Sequence, residues 1–253
     1  MTLKKITNRN THWYKLDGQK ADGVTTLIGD GVRKKALEFW SANATAGYAV
    51  DHWDELSTLS TSKRLDVLKK ARFEERDMAA KRGTEVHQLA EAATRGEEVE
   101  VPDELAGHVE SAVKFLDDFK VQPILMETPV GHRGGRYAGT LDLVFRSPLY
   151  PGRTFIADWK TNRSGIYGET ALQLAAYRYA EFYLDGEKEV PMTDLGITDA
   201  VAIWIRADGY TVYDMDTDHH VFTLFKYVSA VARGTKNLND LKREELTPKE
   251  DAA

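Results

Sequence analysis

Hydrophobic and polar positions change their period several times along this chain, and each change predicts an element. Residues 11–28, THWYKLDGQKADGVTTLI, read as short strands joined at Asp17-Gly18 and Asp22-Gly23, where glycine supplies the positive φ of a tight turn. From Arg33, RKKALEFWSANATAGYAVDHW sets Leu37, Trp40 and Ala44 at helical spacing. A second, strongly charged helix is predicted over 62–95. Within it RGTEVHQLAEAATRG forms an apolar stripe of Val86, Leu89, Ala90 and Ala93, with His87 and Glu91 one turn apart on a neighbouring face. Pro102, at its favoured first-turn position, opens a further helix to about Lys120.

Beyond that helix the pattern becomes strand-like. Strands are predicted over 124–130, 137–146 and 154–160, with GHRGG turning between the first two. The helical pattern returns over 168–184. A loop then leads to a hairpin of 199–206 and 210–215, turning at Ala207-Asp208-Gly209, and DHHVFTLFKYVSAVAR predicts a last helix. The charged tail after Lys236 is expected to fray. This alternation predicts an α/β fold: a central mixed β-sheet of those five strands flanked by helices. The helix over 168–184 would pack on one face, and the N-terminal helices would form a wall over the site. A single domain is expected over 1–253, with strands and helices to residue 80, a core over 82–235 and the tail over 236–253.

Composition narrows the classes. With 253 residues, 42% of them hydrophobic, the chain can bury a sizeable core. No apolar run approaches the length of a bilayer span, and MTLKKITNRNTHWY lacks the apolar centre of a signal peptide. With no cysteine either, a cytoplasmic protein without membrane contact is expected. Zero cysteines exclude disulfides, thiolate-ligated zinc and cysteine-ligated iron–sulfur clusters. The formal charge of −6 gives no overall attraction to nucleic acid, so such binding would need local cations or bound divalent ions. Arg33, Lys34 and Lys35 form one basic cluster, readable as a solvated helix end or as a phosphate contact.

Chemistry concentrates between Arg136 and Ala180. Asp142 sits in an apolar strand among Leu141, Leu143 and Val144, and Asp158 and Lys160 close the next strand. Positions i and i+2 of a strand share a face, so the carboxylate and the ammonium emerge side by side. Polar groups forced onto a buried-looking strand are a local conflict of the kind that marks function. Asp-x-Lys alone is a weak signal: it recurs at Asp118-Phe119-Lys120 and at Asp240-Leu241-Lys242. The plain reading of such a pair is an exposed ion pair worth little. The chemical reading is stronger at Asp158, because two carboxylates from adjacent strands suit Mg²⁺ or Mn²⁺. Such an ion acts on a phosphate and its attacking water, and a neighbouring lysine stabilises developing charge.

Taken together, Gly139-Thr140-Leu141-Asp142, Asp158-Trp159-Lys160 and Gln173-x-x-x-Tyr177 resemble, in this order, the motifs of the PD-(D/E)XK nuclease superfamily. RGTEVH, ending in His87, is similar to the RecB-like exonuclease branch, which includes phage recombination exonucleases. The resemblance covers roughly residues 82–179, and GVTTLIGDGVRKKALEFW looks like the openings of phage members. It implies a restriction-endonuclease-like core and a metal-dependent DNA exonuclease in phage recombination, replication or repair. An endonuclease on the same fold and a non-catalytic DNA-binding module are the alternatives. It further implies that Asp142, Asp158, His87 and the backbone carbonyl of Trp159 hold one or two Mg²⁺ or Mn²⁺ ions, while Lys160 positions the attacking water. Gln173 and Tyr177 would buttress the site or touch DNA, unless they merely pack a helix on the sheet. Glu127 matches an acid of the preceding strand, and Arg82 a phosphate contact. Arg133, Arg136 and Arg163 are further candidates for holding DNA. The implied partners are DNA and a single-strand annealing or other recombination protein, in a host cytoplasm. Branch members often carry four cysteines around an iron–sulfur cluster; this chain has none, and it has no helicase motif.

Overall fold

The computed structural model describes residues 3–8, 11–97 and 100–245, without the side chains of Thr11, Ala36, Glu74, Glu75, Arg76, Ala79 and Ala80. The chain runs β1 (Leu3–Asn8), β2 (Thr11–Leu16), β3 (Gln19–Gly23), α1 (Val24–Gly31), α2 (Lys35–Asp51), α3 (Trp53–Thr58) and α4 (Thr61–Thr94). It continues with α5 (Ala106–Asp118), β4 (Gln122–His132), β5 (Tyr137–Arg146), β6 (Thr154–Lys160), α6 (Glu169–Arg178), β7 (Phe182–Asp185) and β8 (Lys188–Pro191). Last come β9 (Asp199–Arg206), β10 (Gly209–Asp214) and α7 (His219–Thr235). The strands join in one mixed sheet with helices against it, an α/β fold. Among the described residues no helix is long and apolar enough to cross a membrane.

The period of two along β6 sorts its side chains into two layers. Phe155, Ala157 and Trp159 join Leu143, Phe145 and Ile203 under α4 and α5, whose Val86, Ala90, Ala112 and Phe115 close that layer. Ile156 faces the other way, with Val144 and Leu141, against Val24 and Leu27 of α1, Leu174 and Tyr177 of α6, and Phe225 of α7. Each such large apolar side chain contributes about 1.5–3 kcal/mol by leaving water. Asp158 and Lys160 share the parity of Ile156 and so rise on the α6 side.

The sheet forks at β5. One edge of β5 pairs with β4 from Tyr137 to Arg146. The other edge pairs with β3 at Tyr137 and Ala138, in parallel, and with β6 from Leu143 to Arg146, antiparallel. Residues 139–142 lie between these two partners, so their edge of the strand is open to side chains rather than to a ladder. Tyr177 covers the face of the strand at Gly139, where an added Cβ would lie 2.4 Å from the ring. The Tyr14 hydroxyl meets Thr140 Oγ1 at 2.8 Å.

Several expectations need correction. Residues 24–28 are not strand but the start of α1, because Val24, Leu27 and Ile28 bury one helical face. The N-terminal strands belong to the same sheet as the central ones, and β1 lies upstream of the first predicted strand. The predicted helix over 168–184 stops at Arg178. Tertiary pairing takes over there: Glu181 binds the amides of Arg133 and Gly134, and the Phe182 ring lies on Gly131, so β7 and β8 form a hairpin on β4. Pro102 precedes a single 3₁₀ turn, Asp103–Leu105, and α5 starts only at Ala106. The expected wall of N-terminal helices reduces to α4 at the site, while α2 packs on α4. The tail from residue 246 lies outside the described residues; before it, a 3₁₀ turn spans Leu238–Leu241.

Candidate metal centre

The fork brings the predicted acids together. Beyond the pair Leu143–Ala157 the strands β5 and β6 diverge, and the next rung is made by a side chain: Trp159 N–H donates to Asp142 Oδ2 at 2.9 Å. On the other side of β5, Glu127 lies between the pairs Met126–Leu143 and Thr128–Leu141, which sets it opposite Asp142. Glu127 has φ +43°, a left-handed backbone that costs a glutamate on the order of 1–3 kcal/mol and persists only where its surroundings enforce it.

His87 arrives from α4. Gly83, one turn earlier, lets the helix come close: an added Cβ would lie 3.1 Å from Thr161 Oγ1. His87 Nδ1 then stands 3.8 Å from Asp142 Oδ2. Ligand atoms of His87, Glu127 and Asp142 all lie within 4.8 Å of one another. This donor set of two carboxylates and one imidazole fits a hard or borderline divalent ion.

The electrostatics support the same fit. Burial, then Asp142, then Glu91 push the Glu127 carboxyl up to about 7, with Asp158 adding to them and Lys5 opposing. Burial and then Asp158 push the Asp142 carboxyl up to about 6, against the pull of His87, Lys160 and the Trp159 amide. Two acids in one desolvated site resist ionising together, and a divalent cation would remove that conflict.

Asp158 is differently placed. It is 2% exposed, its Oδ1 accepts from Gln173 Nε2 at 2.5 Å, and its Oδ2 receives no well-directed hydrogen bond but is ion-paired with Lys160. Burial alone would pull the Lys160 ammonium down; Asp158 and Asp142 outweigh it and raise it, so the lysine is charged at neutral pH.

The remaining candidates divide. Gln173 buttresses Asp158, and Tyr177, one turn later, is 3% exposed and packs in the core against Gly139 rather than facing solvent. The Trp159 ring is buried in the opposite layer, edge-on to Phe115 at 5.4 Å. Arg82 is half-buried on α4, and its charge, after burial itself, lowers His108. Arg133 is not available at the centre: Asp17 and Glu189 hold it. Arg136 binds Gln19, Arg33 binds Glu38, and Lys34 faces Glu169 at 3.6 Å. Sequence reasoning ranked Glu127 second and missed Lys5 altogether, because LKKITN shows no alternation; only strand pairing brings it near Glu127.

No protein-family model matches the chain, and no curated protein matches it. Among solved structures, one titled "Crystal structure of SSO0001" is similar at 14% identity and a TM-score of 0.29, over 56% of this chain and 62% of that one. The match thus spans less than two thirds of that structure, and a likeness so low carries neither fold nor function across.

Proposed function

We propose that the chain is a divalent-metal-dependent deoxyribonuclease of the PD-(D/E)XK type, acting as an exonuclease in DNA recombination, replication or repair. The observation that carries this reading is the convergence of Asp142, Glu127 and His87 at the fork, with Asp158 and Lys160 beside them. His87, Glu127 and Asp142 would hold the ion, with Asp158 and the Trp159 carbonyl as the further ligands that the resemblance implies. Mg²⁺ or Mn²⁺ bound there supplies Lewis-acid chemistry toward a phosphate and its attacking water.

The chain's own groups have separate tasks. Gln173 fixes Asp158, so the strand end keeps its geometry when charge in the site changes. Lys160 carries a positive charge on the Asp158 side, where it can donate to a water or to a phosphate oxygen as negative charge develops. Trp159 N–H holds Asp142 Oδ2, fixing that carboxylate's rotamer. The deciding experiment incubates linear and circular DNA with Mg²⁺ or Mn²⁺. Loss of linear DNA alone is expected. Loss of both would make the protein an endonuclease, and loss of neither would leave a DNA-binding module.

A further inference from the structure

Just past Lys160 lies a feature that the metal centre does not use. Residues 164–168 cross from β6 to α6 beside the ends of β9 and β10, leaving a cleft of about 460 Å³. Its walls include Tyr167, Trp204, Tyr213, Asp214 and Ser164. That volume falls within the roughly 300–1,000 Å³ of small-ligand sites.

Strand register fixes where the cleft stands. Asp158 pairs with Ala202 and Lys160 with Trp204; Ala202 in turn pairs with Tyr213 and Trp204 with Thr211. Paired residues share a sheet face, so Asp158, Ala202 and Tyr213 form one row and Lys160, Trp204 and Thr211 the next. Two strand spacings put the Tyr213 backbone about 10 Å from that of Asp158. The indole is held in place: Trp204 Nε1 donates to the Asn162 carbonyl at 2.8 Å, and the Arg206 guanidinium lies 4.2 Å from the ring centroid. Tyr167 and Tyr213 each keep 42% of their surface exposed. One indole, backed by Arg206, and two open phenol rings line the same cleft, a lining suited to stacking, which accepts any base because every base has a π-face. Asp214 argues against a phosphate in the same cleft and supplies an acceptor for the N–H groups on a base edge.

We propose that this cleft binds an unpaired nucleobase of the strand whose phosphate lies at Lys160, so that the substrate is a single strand or a frayed duplex end. The proposal rests on the nuclease reading, and the test separates the two. Short oligonucleotides carrying 2-aminopurine at the 5′ or the 3′ end are bound in Ca²⁺, and the fluorescence is followed in the wild type, Tyr213→Ala and Tyr213→Phe. Quenching of one labelled end is expected in the wild type and in Tyr213→Phe, and its loss in Tyr213→Ala. In parallel, kcat/KM on a single-stranded oligonucleotide in Mg²⁺ should fall at least about fivefold in Tyr213→Ala and hold in Tyr213→Phe. Binding without quenching, or quenching and cleavage that survive in Tyr213→Ala, would overturn the base site. Tyr213-dependent quenching without any cleavage by the wild type would support the base site and overturn the nuclease.

Discussion

The two acidic halves of the centre differ in how their charge is answered. Asp158 has its own cation and its own amide donor, Lys160 and Gln173, both fixed by the strand and helix that carry them. Asp142 and Glu127 face each other across β4 and β5 with a histidine as neighbour, and both carboxyls are pushed upward. The first half is complete within the chain. Among the described residues the second has no lysine of its own at ion-pair distance, and a proton or an added cation would relieve its repulsion, which is why we propose the metal there.

The largest expected effect comes from the self-neutralised half. On the proposed function, Lys160→Ala should lower kcat at least about 10²-fold while leaving DNA affinity in Ca²⁺ largely intact, since its charge would act on the transition state. Single-turnover cleavage measured beside anisotropy titration checks this, and near wild-type cleavage would remove Lys160 from the mechanism.

Next, the uncompensated half should show in stability. Burial and then Asp142 push the Glu127 carboxyl up to about 7 from an ordinary 4.5. The folded protein therefore binds more protons than the unfolded chain between those values, and stability falls as pH rises through that window. The loss is at most about 3 kcal/mol before solvent screening is counted. In EDTA the Tm should drop between about pH 4.5 and 7, Glu127→Gln should flatten that slope, and Mn²⁺ should restore the Tm at neutral pH. A slope unchanged in Glu127→Gln would place the effect elsewhere.

His87→Ala is expected to be milder. It should raise the Mn²⁺ needed for half-maximal cleavage roughly tenfold, a loss of about 1.4 kcal/mol, and activity should partly recover at high Mn²⁺. A defect that no metal concentration repairs would mean that His87 does something other than hold the ion.

The smallest effect sharpens the comparison from the DNA side. Arg133, Arg136 and Arg33, three of the arginines expected to hold phosphate, are already engaged by protein groups. The slope of log K against log salt should therefore be shallow, on the order of −2 to −4, and affinity should rise when Ca²⁺ replaces EDTA. Anisotropy across a salt series measures both, and a steep slope would expose a basic surface not recognised in this fold.

What was legible in the sequence follows from the range of each interaction. Asp158 and Lys160 were readable because i, i+2 spacing is local, and the strand ends as predicted at Lys160. Glu127 stood second because its importance comes from lying opposite Asp142, a relation made by register and by a left-handed φ that no local pattern announces. The Gly139 and Tyr177 positions were visible as motif letters, but their meaning, a ring packed on a bare backbone, needed the fork. The overlong helix over 168–184 failed where Phe182 found Gly131, a contact across the sheet. Tyr167, Trp204 and Tyr213 carried no signal at all, since strand register and a loop bring them together.

The parallel pairing of β3 with β5 has one more consequence. It joins Asp22 to Tyr137, so the whole excursion through α1 to α5 and β4 is, to the polymer, a single closed loop. The entropy of closing a loop grows only as the logarithm of its length, about 0.6 kcal/mol for each doubling. Lengthening or trimming the outlying α2 and α3 should therefore cost the sheet little chain entropy. The spacing that must be kept is the short one, from Gly83 to His87, because together with the packing of Val86 and Ala90 it sets where α4 meets the fork.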